Sequence, residues 1–172
     1  IFRDLIQKHG WEPAGSHPPI IALKKGSGSI TLEPGGQIEL SGQKARSIDA
    51  NAQELYLHLE ELRSISETLG IAWLGIGAQP YSIAEEIEWM PKERYNIMRE
   101  ALKDKGSLTF SMMKETASVQ VSLDYQSEED ALIKLKLGMG LSPFLTAMFA
   151  NSPLKAGKNS GYLSRRAYIW KH

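Results

Sequence analysis

Two carboxylates, Glu33 and Glu39, flank a Pro34-Gly35-Gly36 turn in the stretch Thr-Leu-Glu-Pro-Gly-Gly-Gln-Ile-Glu-Leu-Ser-Gly, residues 31–42. If the flanks are strands, the turn brings both acids into one small volume beside the apolar Leu32, Ile38 and Leu40. Oxygen ligands crowded in this way suit a hard cation such as Mg²⁺, which sits between one or two carboxylates and substrate phosphates. The same pair also reads as two solvent-facing acids on a hairpin, because acid–Pro-Gly-Gly–acid is not a specific motif. Two arginines could grip a carboxylate or phosphate with a bidentate fork. Arg94 follows Trp89-Met90-Pro91-Lys92, and Arg166 lies among Leu163, Tyr168, Ile169 and Trp170. Otherwise Arg94 is a helix-surface residue and Arg166 a strand-edge one. Gln120 and Ser122 point the same way from a predicted strand, where they meet either a ligand or water.

Other chemistries find less support. His9, His17, His58 and His172 show no mutual metal spacing, and His58 lies mid-helix between Leu57 and Leu59. Gly26-Ser27-Gly28 forms neither a phosphate loop nor a dinucleotide fingerprint. There is no Gly-x-Ser-x-Gly elbow. The six methionines, Met112 and Met113 among them, read as core filler. The chain has no cysteine, which excludes disulfides, cysteine-ligated zinc and a cysteine nucleophile, and fits a cytoplasmic protein.

The 172 residues are enough for one domain with its own core. Lys+Arg and Asp+Glu both number 20, so no basic excess points to nucleic acid and no polybasic run to a membrane surface. No apolar run approaches the roughly 18–20 residues of a membrane span, and no signal peptide is visible. The first residue is Ile1, and the chain stops within an apolar segment, so a fragment of something longer is expected.

Several elements would position these residues. Residues 1–9 have helical apolar spacing with a stop at His9-Gly10, and residues 11–19 read as loop. Residues 20–24, 29–32 and 37–40 predict a small antiparallel meander. Residues 47–69 predict the clearest helix, with apolar positions 48, 52, 55, 59, 62, 65 and 69 and Gly70 as its cap. Residues 71–78 predict a buried strand, 83–89 a short helix or turn, 92–103 a helix after Pro91, and 108–113 a strand or loop. Residues 118–125 alternate cleanly, with Val119, Val121 and Leu123 on one face and Gln120, Ser122 and Asp124 on the other. Ser127 opens a helix that runs toward Met148 through Gly138, Gly140 and Pro143. Residues 156–160 read as a polar loop and 162–170 as a final strand or extended segment. Helices and hairpin-linked strands without strict alternation predict an α+β fold, in a single domain.

Five segments taken in order carry a family likeness: residues 31–42 (TLEPGGQIELSG), 74–80 (LGIGAQP), 89–98 (WMPKERYNIM), 119–125 (VQVSLDY), and 149–153 (FANSP) with 161–170 (GYLSRRAYIW). Together they resemble glutamate–cysteine ligase of the plant and proteobacterial type, within the glutamine-synthetase-like carboxylate–amine ligases. The likeness runs over roughly residues 11–170. It implies a curved antiparallel sheet with packed helices, as part of a longer catalytic core. It also implies a reaction. ATP phosphorylates the γ-carboxylate of glutamate, and the cysteine amine displaces phosphate to give γ-glutamylcysteine, the first step toward glutathione. The partners implied are glutamate, cysteine and ATP, with Mg²⁺ shielding the phosphates. Neither nucleic acid nor a membrane is implied, and the oligomeric state is left open.

By the same resemblance, Glu33 and Glu39 match metal-binding acids and Arg94 and Arg166 match the basic residues that hold glutamate. Gln120 and Ser122 lie on the strand lining that pocket. The chain also departs from the family. Relatives usually carry Asn at the position of Ser122, where a hydroxyl offers fewer bonds than an amide. Plant relatives often carry Arg near Glu115, a charge reversal read as a possible change in selectivity. A related ligase with another amine acceptor, or a non-catalytic ligand-binding remnant of the fold, are the competing expectations.

Overall fold

The computed structural model describes residues 1–15 and 19–172; His17 and Pro18, read above as loop, lie outside the described residues. Six helices, a four-stranded antiparallel sheet and a two-stranded hairpin give the α+β class among these residues. They fall into two compact units, residues 1–75 with 88–98, and residues 76–87 with 99–172.

The first unit begins with helix α1 (Phe2–His9), which ends at Gly10 in the left-handed region (φ 71°), where a glycine carries no steric penalty. Strands β1 (Glu12–Pro13), β2 (Ala22–Lys25), β3 (Gly28–Leu32) and β4 (Ile38–Ser41) follow, hydrogen-bonded in that order and all antiparallel. The meander is as predicted, and β1 adds an edge strand where a loop was expected. Helix α2 (Ile48–Leu69) ends at the predicted cap Gly70, with φ 65°, and Ser47, expected as its first residue, is instead its N-cap, with Oγ accepting from the Ala50 N–H. Helix α3 (Glu93–Leu102) contributes its residues up to Met98 to this unit.

Phe2, Leu5, Trp11, Leu23, Ile30 and Ile65 form the core of the first unit, with Leu32, Ile38 and Leu40 packed against it. Burial of such side chains stabilises by roughly 1.5–3 kcal/mol each. Of the apolar stripe on α2, only Leu62 and Ile65 are buried, while Ile48, Leu55, Leu59 and Leu69 are exposed. His58 is buried on this helix, and its Nδ1 has no hydrogen-bond partner among the described residues. Burial holds the His58 pKa below its ordinary value, only partly opposed by Glu61 and Glu54.

The second unit contains helices α4 (Thr109–Glu115), α5 (Glu128–Met148) and α6 (Arg165–Lys171), and the hairpin β5 (Leu154–Lys155)–β6 (Lys158–Asn159). Several expectations change here. Residues 71–78 form no strand; Ala78 makes only an isolated bridge to Thr116. Residues 117–125 form no strand either, and Val119, Val121, Leu123 and Tyr125 are exposed, because alternation describes a strand face but does not supply the strand to pair with. The segment read as strand or loop is α4. The predicted final strand is largely α6, whose cap Ser164 accepts from the Ala167 N–H. The loop at 156–160 contains the turn of the β5–β6 hairpin. Helix α5 is long and apolar enough, by length and composition, to cross a membrane, which the sequence reading did not anticipate; Lys134 and Lys136 interrupt it.

A buried ion pair organises this unit. Glu115 and Arg165 are both almost wholly buried, and Arg165 Nη1 donates to Glu115 Oε2. Glu115 Oε1 accepts from the Ala84 N–H at 2.9 Å, and its backbone carbonyl accepts from the Gln79 N–H at 2.7 Å. One residue thereby joins the 76–87 segment, α4 and α6. Glu115 is a structural anchor here, and its partner Arg165 supplies the compensating charge; the selectivity reading of this position is replaced.

Two outcomes are expected in a full-length protein containing this chain. Arg165→Met should destabilise it by about 3–5 kcal/mol in urea unfolding, because an unpaired carboxylate stays buried. The Glu115→Leu, Arg165→Met double substitution should cost much less. As for His58, the depressed folded pKa means that protons bind the unfolded chain more readily. The stability that depends on neutral His58 is therefore present above about pH 6.5 and lost as pH falls through the folded pKa. Denaturation midpoints against pH should decline more gently below pH 6.5 in His58→Leu.

Candidate functional site

The first cluster grows out of the β3–β4 register. Thr31 pairs with Glu39, Ile30 with Leu40, and Leu32 with Ile38. Residues directly opposite share a face and successive residues alternate. Ile30, Leu32, Ile38 and Leu40 thus turn to the core, and Thr31, Glu33 and Glu39 to the other face. The turn between the strands is closed by the Gly36 N–H on the Glu33 carbonyl (2.8 Å) and the Glu33 N–H on the Gln37 carbonyl (2.9 Å). Gly36 has φ 85°, so this tight return requires a glycine.

Glu33 is partly buried. Its Oε1 accepts from the Thr31 hydroxyl at 3.1 Å, and its Oε2 lies 3.6 Å from Arg94 Nη2. The Arg94 side chain is 65% exposed, so this pair is a surface contact that leaves the guanidinium available to other anions. Glu39 is exposed and has no ion pair among the described residues. Tyr95, 1% exposed, lies beneath both neighbouring cations: the Arg94 guanidinium is 5.0 Å and the Lys92 ammonium 5.1 Å from its ring centroid. Burial, and then Glu33, push the Tyr95 hydroxyl pKa up.

Among the described residues no group of three or more His, Cys, Asp or Glu side chains could hold a metal ion. Two carboxylates on one face nevertheless fit a hard divalent cation that keeps several waters and shares its remaining positions with phosphate oxygens. The donor set is all oxygen, with one carboxylate steadied by Thr31 and the other open.

The second cluster surrounds Arg166, in the first turn of α6. The Arg166 N–H donates to Ser152 Oγ (3.0 Å), the Arg165 N–H to the Ser152 carbonyl (2.9 Å), and the Ser152 N–H to the Leu163 carbonyl (3.0 Å). Ser152 is buried and acts as the seat of the helix. Gly77 makes room for it: a Cβ there would meet Asn151 Oδ1 at 3.0 Å, Ser152 Oγ at 3.3 Å and Arg166 Cβ at 3.5 Å. Three sequence segments, around Gly77, Ser152 and Arg166, thus converge on one arginine. Its guanidinium lies 5.3 Å from the Trp170 ring centroid, and its Nε is buried with no hydrogen-bond partner among the described residues. A helical i, i+4 stack, not a strand edge, presents it.

Glu33, Glu39 and Arg94 therefore come together in the first unit, and Arg166 is held in the second. Gln120 and Ser122 are exposed on the irregular 117–125 segment, where Gln120 Nε2 donates to Ser118 Oγ at 3.3 Å. Thr31, Tyr95, Ser152 and Gly77 also shape the two clusters, although their types and spacing do not single them out as site residues. A signal existed for Tyr95, one position beyond Arg94 and three beyond Lys92, on the first turn of a predicted helix.

Comparison with known proteins adds the family. The model of glutamate–cysteine ligase family 2 matches residues 7–172. The chain is 44% identical over 170 residues to glutamate–cysteine ligase A, chloroplastic, of Oryza sativa subsp. japonica, covering 99% of this chain and 35% of that protein. It is 43% identical over 170 residues to the chloroplastic glutamate–cysteine ligases of Brassica juncea and Arabidopsis thaliana, covering 99% of this chain and 33% of each. The chain spans about a third of the length of these curated relatives. Their chloroplastic names overturn the cytoplasmic expectation. Lack of cysteine removes disulfides, but it does not distinguish one compartment from another.

The geometry of the acid pair makes a prediction. In a full-length protein, Glu39→Gln should leave the melting temperature within about 2 °C of wild type, as for a surface change. Affinity for Mn²⁺ as a spectroscopic probe should fall by about tenfold or more, because an amide replaces an anionic ligand. Unchanged Mn²⁺ affinity would remove Glu39 from the metal site.

Proposed function

The chain belongs to glutamate–cysteine ligase family 2, and we propose that a full-length enzyme containing it joins the γ-carboxylate of L-glutamate to the amine of L-cysteine using ATP. The route is γ-glutamyl phosphate, followed by displacement of phosphate by the amine, giving γ-glutamylcysteine for glutathione synthesis. The observation that carries this reading is identity of 43–44% spread over 170 residues to proteins named glutamate–cysteine ligase.

In this proposal Glu33 and Glu39 hold Mg²⁺, whose contribution when bound is to neutralise phosphate charge. The two acids share a sheet face, and the hairpin turn fixes their separation. Arg94 and Arg166 bind the carboxylates of glutamate. Two features favour Arg166: the buried, unpartnered Nε is a donor awaiting an acceptor, and Trp170 and Ser152 pre-orient the side chain. Arg94 is exposed and only loosely paired, so it can change partners at low cost. Gln120 and Ser122 contribute hydrogen bonds to glutamate from the 117–125 segment. A second reading, with a different amine acceptor, rests on Ser122 alone, since the anchoring role of Glu115 removes its other support.

The test is ADP release by the full-length enzyme with Mg-ATP, glutamate and cysteine. Cysteine-dependent release is expected, and its absence would overturn the proposal. A panel of amines in place of cysteine separates the second reading. Arg166→Lys should raise the glutamate KM by about tenfold with a smaller change in kcat, because a point charge cannot reproduce the bidentate fork.

A further inference from the structure

We infer that Lys92 is an additional oxyanion-binding residue of the Glu33–Glu39 face, gripping a phosphate or carboxylate group of a substrate, with Tyr95 as its positioning residue. This rests on the proposed function and deepens it. The backbone holds Lys92 near the acids. The Met90 N–H donates to the Pro34 carbonyl at 2.9 Å, and the Lys92 N–H to the Met90 carbonyl at 2.8 Å, so residues 90–92 are tied to the same turn that bears Glu33. At the side-chain end, Lys92 Nζ donates to the Tyr95 hydroxyl at 3.1 Å, and that hydroxyl donates to the Leu32 carbonyl at 3.0 Å. Leu32 directly precedes Glu33. The ammonium is therefore fixed relative to the acid pair by a two-bond relay through a buried ring.

Its bonding is incomplete for a cation so placed. An ammonium has three donors, and the one bond made here goes to a neutral hydroxyl rather than to a carboxylate. Partial burial holds its pKa below the ordinary lysine value, and the fields of Glu33 and Glu39 only oppose that shift. A partly buried ammonium with no carboxylate in ion-pair contact among the described residues adds little to the stability of the fold, and Arg94 already pairs with Glu33. Charge balance supplies the reason. Glu33 and Glu39 offset Lys92 and Arg94, so a divalent cation on the acids leaves two positive charges in excess. An anion carried by that cation would match them, and the two unused Lys92 donors would meet its oxygens.

The experiment is titration calorimetry on the full-length protein, with Mg-ATP, glutamate and MgCl₂ as separate ligands, for wild type, Lys92→Met, Lys92→Arg and Tyr95→Phe. Lys92→Met should weaken either Mg-ATP or glutamate by about tenfold or more, and the arm that weakens tells phosphate from carboxylate. Binding of Mg²⁺ alone and the melting temperature should not change. Lys92→Arg should recover part of the loss, and Tyr95→Phe should show a smaller loss in the same arm. The inference is overturned if Lys92→Met binds both ligands as wild type does. It is equally overturned if binding falls only together with melting temperature or Mg²⁺ affinity, without rescue by Lys92→Arg. Wild type that binds neither Mg-ATP nor glutamate would instead sink the proposed function, and this inference with it.

Discussion

The register of the β3–β4 pair is the constraint on which the candidate site depends. Thr31 opposite Glu39 places three oxygen-bearing side chains on one face while Ile30, Leu32, Ile38 and Leu40 enter the core on the other. Because strand side chains repeat every two residues, a slip of one position would bury Glu39 and expose the core face. Burying an unpaired carboxylate costs several kcal/mol, and exposing Ile30 costs about 1.5–3 kcal/mol more. The hydrophobic pattern therefore enforces the acid geometry, and the Pro-Gly-Gly turn limits how the strands can be joined. The same hairpin also offers the Leu32 carbonyl to Tyr95 and the Pro34 carbonyl to Met90, so α3 docks in a position set by the register. Stability and site geometry are consequences of a single pairing.

The second unit solves a similar problem with charge instead of apolar pattern. Its segments around residues 77–87, 109–116 and 150–169 include few fully buried apolar side chains, Ala78, Ala84, Met113 and Ile169 among them. Glu115 joins these segments through three acceptor atoms, its two carboxylate oxygens and its backbone carbonyl, with Arg165 as its counter-ion. Arg165 and Arg166 are adjacent, yet helical geometry sends them to different tasks: one is buried against Glu115 and the other stacks on Trp170. An arginine pair in sequence is thus one structural and one available cation, and only the three-dimensional partner tells which is which. A charge change at Glu115 would act first on folding.

Much of the fold was legible where local chemistry and periodicity agree. Ser47 and Gly70 delimit α2 as caps, Ser127 accepts from the Asp130 N–H at the start of α5, and the strands of the meander follow alternation and glycine turns. Legibility fails where a short apolar run fits two structures. The segment Ile-Ala-Trp-Leu-Gly-Ile-Gly-Ala reads as a buried strand, but its backbone forms no ladder. Tyr162–Trp170 reads as extended because aromatic and β-branched residues favour strands, yet the Ser164 cap starts a helix within it. The acid pair was visible because a turn links its members within a few residues. Tyr95 was not, because its role depends on a carbonyl 63 positions away, and Ser152 was not, because its hydroxyl and its own backbone bond to backbone groups of Leu163, Arg165 and Arg166, which carry no side-chain signature.

Helix α5 carries apolar surface that nothing among the described residues covers. Leu132, Ile133, Leu135, Leu137, Met139, Leu141, Phe144 and Leu145 point in every direction around the helix, and all are substantially exposed. A helix that is apolar on all sides is stable only when surrounded by protein or lipid. Val119, Val121, Leu123 and Tyr125 add a second exposed apolar row in the same unit. Together they exceed the scattered apolar residues that a soluble surface tolerates. Neither row contains the acids or arginines of the candidate site, although Gln120 and Ser122 share the 119–125 segment with the second row. Association or insolubility of this 172-residue chain by itself would report on α5 and residues 119–125. Binding measured in the full-length protein is what reports on Glu33, Glu39 and the cations beside them.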